Sequence, residues 1–151
     1  MSDNVIDVTG IAMYPRLFET NRDMGSRAGE NGAKYSYDEA TTISVILDQE
    51  ELAKVTQLVP DIKPSVTEDG LMVKFRRKWV NKTNPAWGGP PVVKDAEGEP
   101  WSDSLAIGNG SKVRVAAEVY KHNFGTSMRL MGVQVLEHVE ADLPDGPELP
   151  F

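Results

Sequence analysis

In the segment LMVKFRRKWV, Lys74, Arg76 and Lys78 recur at every second position. A second stretch, KVRVAAEVYK, opens with Lys112 and Arg114 and closes on Tyr120 and Lys121. In an extended chain alternate side chains share a face. Lys74, Arg76 and Lys78 therefore form a cationic ladder with rungs roughly 6.5–7 Å apart. Leu71, Val73, Phe75, Arg77 and Trp79 take the opposite face. The rung spacing is close to the phosphate repeat of an extended nucleic-acid strand, so the chemistry on offer is polyanion binding. In the second stretch Val113, Val115, Ala117 and Val119 point one way. Lys112, Arg114, Ala116, Glu118 and Tyr120 point the other, with His122 and Phe124 in the turn that follows.

Basic side chains interleaved with aromatic rings suit sequence-tolerant binding of a single strand. The cations hold the backbone, and each exposed ring stacks a base for about 1–3 kcal/mol. Tyr120, Phe124 and Trp79, at the end of its strand, are the candidate rings. Trp87 and Trp101 fall in or beside loops, where either is a stacking platform or a lid over the end of a barrel.

Other chemistries find little support. The sequence has no Ser/His/Asp or Cys/His pattern, and neither common phosphate-cradling glycine motif. Gly108-Asn109-Gly110-Ser111-Lys112 carries the glycines and the lysine of a phosphate loop, but it leads into a strand. A phosphate loop needs a helix N-terminus behind it, so a hairpin turn is the better reading. With no cysteine and two histidines there is no thiolate metal site and too few imidazoles for a His-based one. The expectation is a non-enzymatic protein without a cofactor.

A net charge of −7 argues against a nucleic-acid partner, but the charge is unevenly placed. Residues 71–136 carry ten Lys and Arg against five Asp and Glu, about +5. The acidity lies in the first 70 residues and in the last stretch, EHVEADLPDGPELPF. That stretch holds Asp142, Asp145, Glu148 and a final Phe151 without one Lys or Arg, and its prolines deny it helix and central strand. It reads as an extended interaction tail.

The elements that must position these residues are mostly strands. Val5–Thr9 and Ala12–Phe18 read as strand interrupted by Gly10, and Lys34–Leu47 is β-rich. One helix signal follows: Asp48 as N-cap with Glu51 three residues on, then Leu52, Val55, Leu58 and Val59 at helical spacing until Pro60. Glu68-Asp69-Gly70 marks a hairpin into a strand over Leu71–Val80. Asn84–Pro91 is an irregular loop, Val92–Lys94 a short strand and Asp95–Gly98 a tight turn. Strands over Lys112–Lys121 and Ser127–Val139 complete the chain. Short strands, turns and one helix predict a small β-barrel or sandwich, residues 1–139, with a tail over 140–151.

At this point the chain resembles the single-stranded DNA-binding proteins of tailed bacteriophages. The resemblance is carried by VVKDAEGEPW, the Ile107–Lys112 turn, the Val113–Tyr120 strand and the Tyr120-Lys121 pair, and in character by the acidic, Phe-ended tail. It implies a five-stranded OB-fold barrel with one short helix and extended loops. It also implies sequence-independent binding of single-stranded DNA in phage replication, recombination and repair. The implied setting is the cytoplasm of the infected bacterial host, as a homodimer and without a membrane. In that family Tyr120 and Lys121 sit where DNA is contacted. The tail residues Asp142, Asp145, Glu148 and Phe151 are expected to meet the phage DNA polymerase and helicase/primase, and to compete with DNA. His122 stands where the family often has Trp, which shifts or weakens stacking there. The alternative is a structural or assembly β-domain of a virion, which would not ask for two basic faces.

Overall fold

The first strand, β1 (Val5–Arg16), is shared between two partners, and this sharing shapes the whole sheet. In the computed structural model, which describes residues 4–18, 22–23, 26–28, 34–36, 39–102, 105–123 and 125–140, Val5 to Ile11 pair antiparallel with β8 (Lys112–His122). From Ile11 to Arg16 the same strand pairs antiparallel with β4 (Ala40–Leu47). Gly10 lies next to the changeover. A Cβ there would sit 2.3 Å from the Ile46 carbonyl oxygen and 2.7 Å from Val45 Cγ1, so the close approach of β4 requires glycine. The chain is one continuous strand through Gly10, where the sequence suggested a break.

The remaining elements are β2 (Ser26–Ala28) and β3 (Lys34–Ser36), paired as a small separate hairpin, α1 (Gln49–Leu58), β5 (Ser65–Thr67), β6 (Gly70–Lys78), β7 (Val92–Lys94) and β9 (Gly125–Glu137). The main sheet has the order β5-β6-β4-β1-β8-β9-β7. Its five long strands are β1, β4, β6, β8 and β9. They curl until β6 and β9 lie side by side without a ladder between them. This is an OB-fold-like, partly open barrel, in agreement with the expected class. The run over 34–47 is divided between β3 and β4, because the chain joins two different sheets there.

Local chemistry explains the elements. Asp48 Oδ1 accepts from the Glu51 backbone N–H at 2.9 Å, capping α1. Glu50 and Glu51 in its first turn favour the positive end of the helix dipole. Val55 is the buried residue of α1, and the helix packs on β1. Alternation places Val113, Val115, Ala117 and Val119 of β8 inside, against Ile43 and Val45 of β4 and Val73 and Phe75 of β6. Lys74, Arg76 and Lys78 consequently project from the outer face of β6. Their cross-strand partners on β4 are Ser44, Thr42 and Ala40.

The far end of β9 is tied down. The Gly108 N–H donates to the Val139 carbonyl at 2.8 Å, and the Val139 N–H donates to buried Ser111 Oγ at 2.9 Å. Ser111 Oγ donates in turn to the Gly108 carbonyl at 2.8 Å. A Cβ on Gly108 would meet the Glu140 carbonyl oxygen at 2.4 Å, so the turn read from Gly108-Asn109-Gly110 is also the seat of residues 139 and 140.

Candidate nucleic-acid interface

The β8–β9 hairpin presents its outer face in register: Glu118 opposite Arg129, Tyr120 opposite Ser127, His122 opposite Gly125. Arg129 donates to Glu118 Oε1 at 2.9 Å. His122 Nε2 lies 2.6 Å from Ser127 Oγ. The rings of Tyr120 and His122 are 5.9 Å apart and tilted by 49°.

Onto this surface the loop after β6 delivers an indole. Pro85–Trp87 forms a single 3-10 turn, started by Asn81 Oδ1 accepting from the Asn84 N–H at 2.9 Å. Trp87 comes to rest 5.8 Å from Tyr120, tilted by 43°, with the Arg129 guanidinium 4.8 Å from its ring centroid. Arg129, Trp87, Tyr120 and His122 thus form a continuous row of cation and ring contacts. Such a row offers flat π-faces beside positive charge.

Two cavities meet at this row. One, of about 390 Å³, is lined among others by Arg76, Lys78, Asn81, Trp87, Tyr120 and Arg129. The other, of about 1000 Å³, shares Trp87 and Tyr120 and runs between Lys121 on the hairpin and Gln57, Leu58 and Pro60 at the end of α1. The first is the more cationic: Arg76, Arg77, Lys78 and Arg129 all line it, and the neighbouring carboxylate is Glu118. Burial, and then the charge of Arg129, push the Arg77 guanidinium below its ordinary pKa, while Glu118 opposes them. An arginine so placed still remains protonated.

The candidate residues fall into distinct places. Arg76, Lys78 and Tyr120 come together in the first cavity, and Lys121 lines the second. Lys74 is exposed farther up the same face of β6 and lines neither. Trp79 is half-buried with the Arg22 guanidinium 4.9 Å from its ring centroid, and it also lines neither cavity. Lys112 and Arg114 are not brought to Tyr120, because they occupy the opposite end of β8. Arg114 is moreover engaged with Asp7, donating through Nε at 2.8 Å and Nη2 at 2.5 Å. That hydrogen bond and charge hold the Asp7 carboxyl below its ordinary range. Trp101 belongs to the far end as well, donating from Nε1 to the Leu105 carbonyl at 2.8 Å and packing edge-on against His138. Phe124, Asp142, Asp145, Glu148 and Phe151 lie outside the described residues.

Arg77 and Arg129 are the cations of the first cavity that sequence reasoning passed over. Arg77 sits on the inward face of β6, where alternation places core residues. Arg129 could have been found from register alone, since a tight β8–β9 turn sets it opposite Glu118.

The sequence matches no protein-family model, and no curated protein matches it. Solved structures do share the fold. The gp2.5 single-stranded DNA-binding protein encoded by bacteriophage T7 aligns with a TM-score of 0.59 at 18% identity, over 93% of this chain and 90% of that one. The single-stranded DNA-binding protein from bacteriophage Enc34 aligns at 0.57 and 13% identity, over 97% and 87%. The same Enc34 protein in complex with single-stranded DNA aligns at 0.50 and 14% identity, over 96% and 91%. The architecture of this chain is therefore that of an OB-fold-like domain also used by phage single-stranded DNA-binding proteins.

Proposed function

We propose that this protein is a non-enzymatic, sequence-tolerant single-stranded DNA-binding protein. The carrying observation is the row Arg129–Trp87–Tyr120–His122 beside Arg76 and Lys78. Phosphates would be neutralised by Arg76 and Lys78, and by Lys121 as the strand leaves the cavity. Bases would stack on Tyr120 and Trp87. Cations on phosphates and rings on base faces carry no sequence information, so binding of this kind tolerates sequence. The fold shared with the T7 and Enc34 proteins supports the reading, since the latter was solved with single-stranded DNA.

In this account the protein coats phage DNA in the host cytoplasm during replication, recombination and repair, as a homodimer. The acidic segment 141–151 meets the replication polymerase and helicase/primase and competes with DNA for the cationic cavity. Its reach supports that role. Residue 140 lies at the Lys112 end of β8, where Lys112 pairs with Glu137. Tyr120 is eight residues, or about 27 Å, farther along the strand. Eleven extended residues span up to about 40 Å, so Phe151 can reach the Tyr120 end.

Titration with poly(dT) at low salt tests the function. Saturable binding that weakens steeply with salt, by about 0.7 in log K per log salt for each phosphate contact, is expected. An absence of binding at low salt would refute it. For the tail, a variant ending at Glu140 should bind more tightly than the full chain at low salt, and equal affinity would remove the competition.

A further inference from the structure

The barrel has a seam. Between β6 and β9 there is no ladder, and the loop over residues 80–91 lies across the gap. Arg77 reaches into it from the inward face of β6, continuing the line of Val73 and Phe75. Its Nε donates to the Gly89 carbonyl at 3.1 Å, and its Nη2 to those of Gly88 at 2.9 Å and Ala86 at 3.3 Å. Its Nη1 donates to the Leu130 carbonyl of β9 at 3.2 Å. One guanidinium thus holds the loop on one side and the facing strand on the other.

The loop is held besides by the bond from the Asn84 N–H to Asn81 Oδ1, by Arg129 over Trp87 and by the pairing of β7 with β9 from Val92 onward, but its middle has fewer donors of its own. Pro85, Pro90 and Pro91 lack an N–H. The carbonyls of Gly88 and Gly89, both half-buried, would be costly to leave unpaired. From the opposite side the loop is pressed against the end of β6. A Cβ on Gly88 would lie 2.9 Å from the Asn81 nitrogen and 3.1 Å from the Trp79 carbonyl oxygen, and the Gly89 N–H donates to that same oxygen at 2.7 Å. Trp87 stands immediately before this clamped glycine pair. With Arg77 and the β6 end holding the loop, and Arg129 over its ring, Trp87 stands 5.8 Å from Tyr120.

We propose that Arg77 is a positioning residue for base stacking: it seats the Trp87 loop against the β8–β9 hairpin and acts on DNA through Trp87, with four of its five N–H donors committed to carbonyls. The proposal rests on the single-strand binding inferred above. It separates two kinds of arginine lining one cavity, Arg76 on the outer face as a phosphate contact and Arg77 as a latch. A lysine in place of Arg77 keeps the charge but lacks the planar fork that serves two sides of the seam at once.

The test compares the wild-type chain, Arg77→Lys, Arg76→Ala and Trp87→Phe in poly(dT) titrations across a salt series, following tryptophan fluorescence. Arg77→Lys should bind about 5- to 150-fold more weakly, the range of one lost stacking contact. Its salt slope should be unchanged, and its DNA-induced quenching should fall to the level of Trp87→Phe. Arg76→Ala should lower the slope by about 0.7 instead. Wild-type affinity in Arg77→Lys, or a slope lowered by about 0.7, would overturn the latch. Gly88→Ala displaces the loop with Arg77 intact, so it decides the matter if Arg77→Lys does not fold. It should reproduce weaker binding at constant slope, and binding like wild type would overturn the proposal. A wild-type chain that ignores poly(dT) defeats the parent function, an outcome distinct from all of these.

Discussion

The rings of Trp87 and Tyr120 stand 5.8 Å apart although 33 residues separate them in sequence, one on an irregular loop and the other on the outer face of β8. Tilted by 43°, the two rings form a wedge, and both line both adjoining cavities. If these rings stack bases, Trp87→Ala and Tyr120→Ala should each weaken poly(dT) binding by about 1–3 kcal/mol. Because the rings touch, the double variant should lose less than the sum of the single losses. Strict additivity in a double-mutant cycle would speak against a shared stacking site.

The cations sort by position. Arg76→Ala and Lys78→Ala should each reduce the salt slope of binding by about 0.7, while Lys112→Ala should leave it unchanged. Salt-dependent titrations of the three variants check this. An effect of Lys112→Ala equal to that of Lys78→Ala would move the DNA path to the other end of β8.

The Asp7–Arg114 pair gives a pH signature that is independent of DNA. The folded-state pKa of Asp7 is lowered, first by the Arg114 hydrogen bond. Its contribution is therefore full above the unfolded carboxylate value near 3.8 and is lost as pH falls through the lowered folded value. Both side chains are about half exposed, at 54% and 47%, so screening limits the pair to about 1 kcal/mol or less. Urea unfolding of Asp7→Asn against wild type should show that small gap at neutral pH and its closure in strong acid. A gap that widens towards low pH contradicts the assignment. Poly(dT) affinity should not change.

Gly10 allows β1 to pass from β8 to β4. Gly10→Ala places a methyl 2.3 Å from the Ile46 carbonyl oxygen, so a strand must shift. The expected cost is about 1–3 kcal/mol, as for overpacked cores, measured by thermal or urea unfolding. Unchanged stability would mean that β1 and β4 can separate there freely.

How much of this was legible in the sequence depended on whether a residue's role was local. Asp48 and Glu51 announced α1 because a cap is decided within four residues. The outward ladder Lys74–Arg76–Lys78 followed from the period of two. The distance of Lys112 and Arg114 from the proposed DNA face follows from one strand face spanning the whole length of the barrel. Its two ends serve different neighbours, Asp7 at one and Trp87 at the other. Arg77 could not be read either: its inward position looks like core until the curled sheet reveals a seam whose carbonyls need donors. Trp87 and Trp101 read alike in sequence. Only tertiary placement separates the ring beside Tyr120 from the one bonded to Leu105.

Single-stranded DNA lying on the Trp87–Tyr120 wedge would bring its bases within reach of both rings. Photocrosslinking the full chain to an oligo(dT) strand carrying 5-bromodeoxyuridine, followed by mass spectrometry of the adducts, tests it most directly. Adducts at Trp87 and Tyr120 are expected. Adducts confined to Trp101 and the Lys112–Arg114 end of β8 would contradict it.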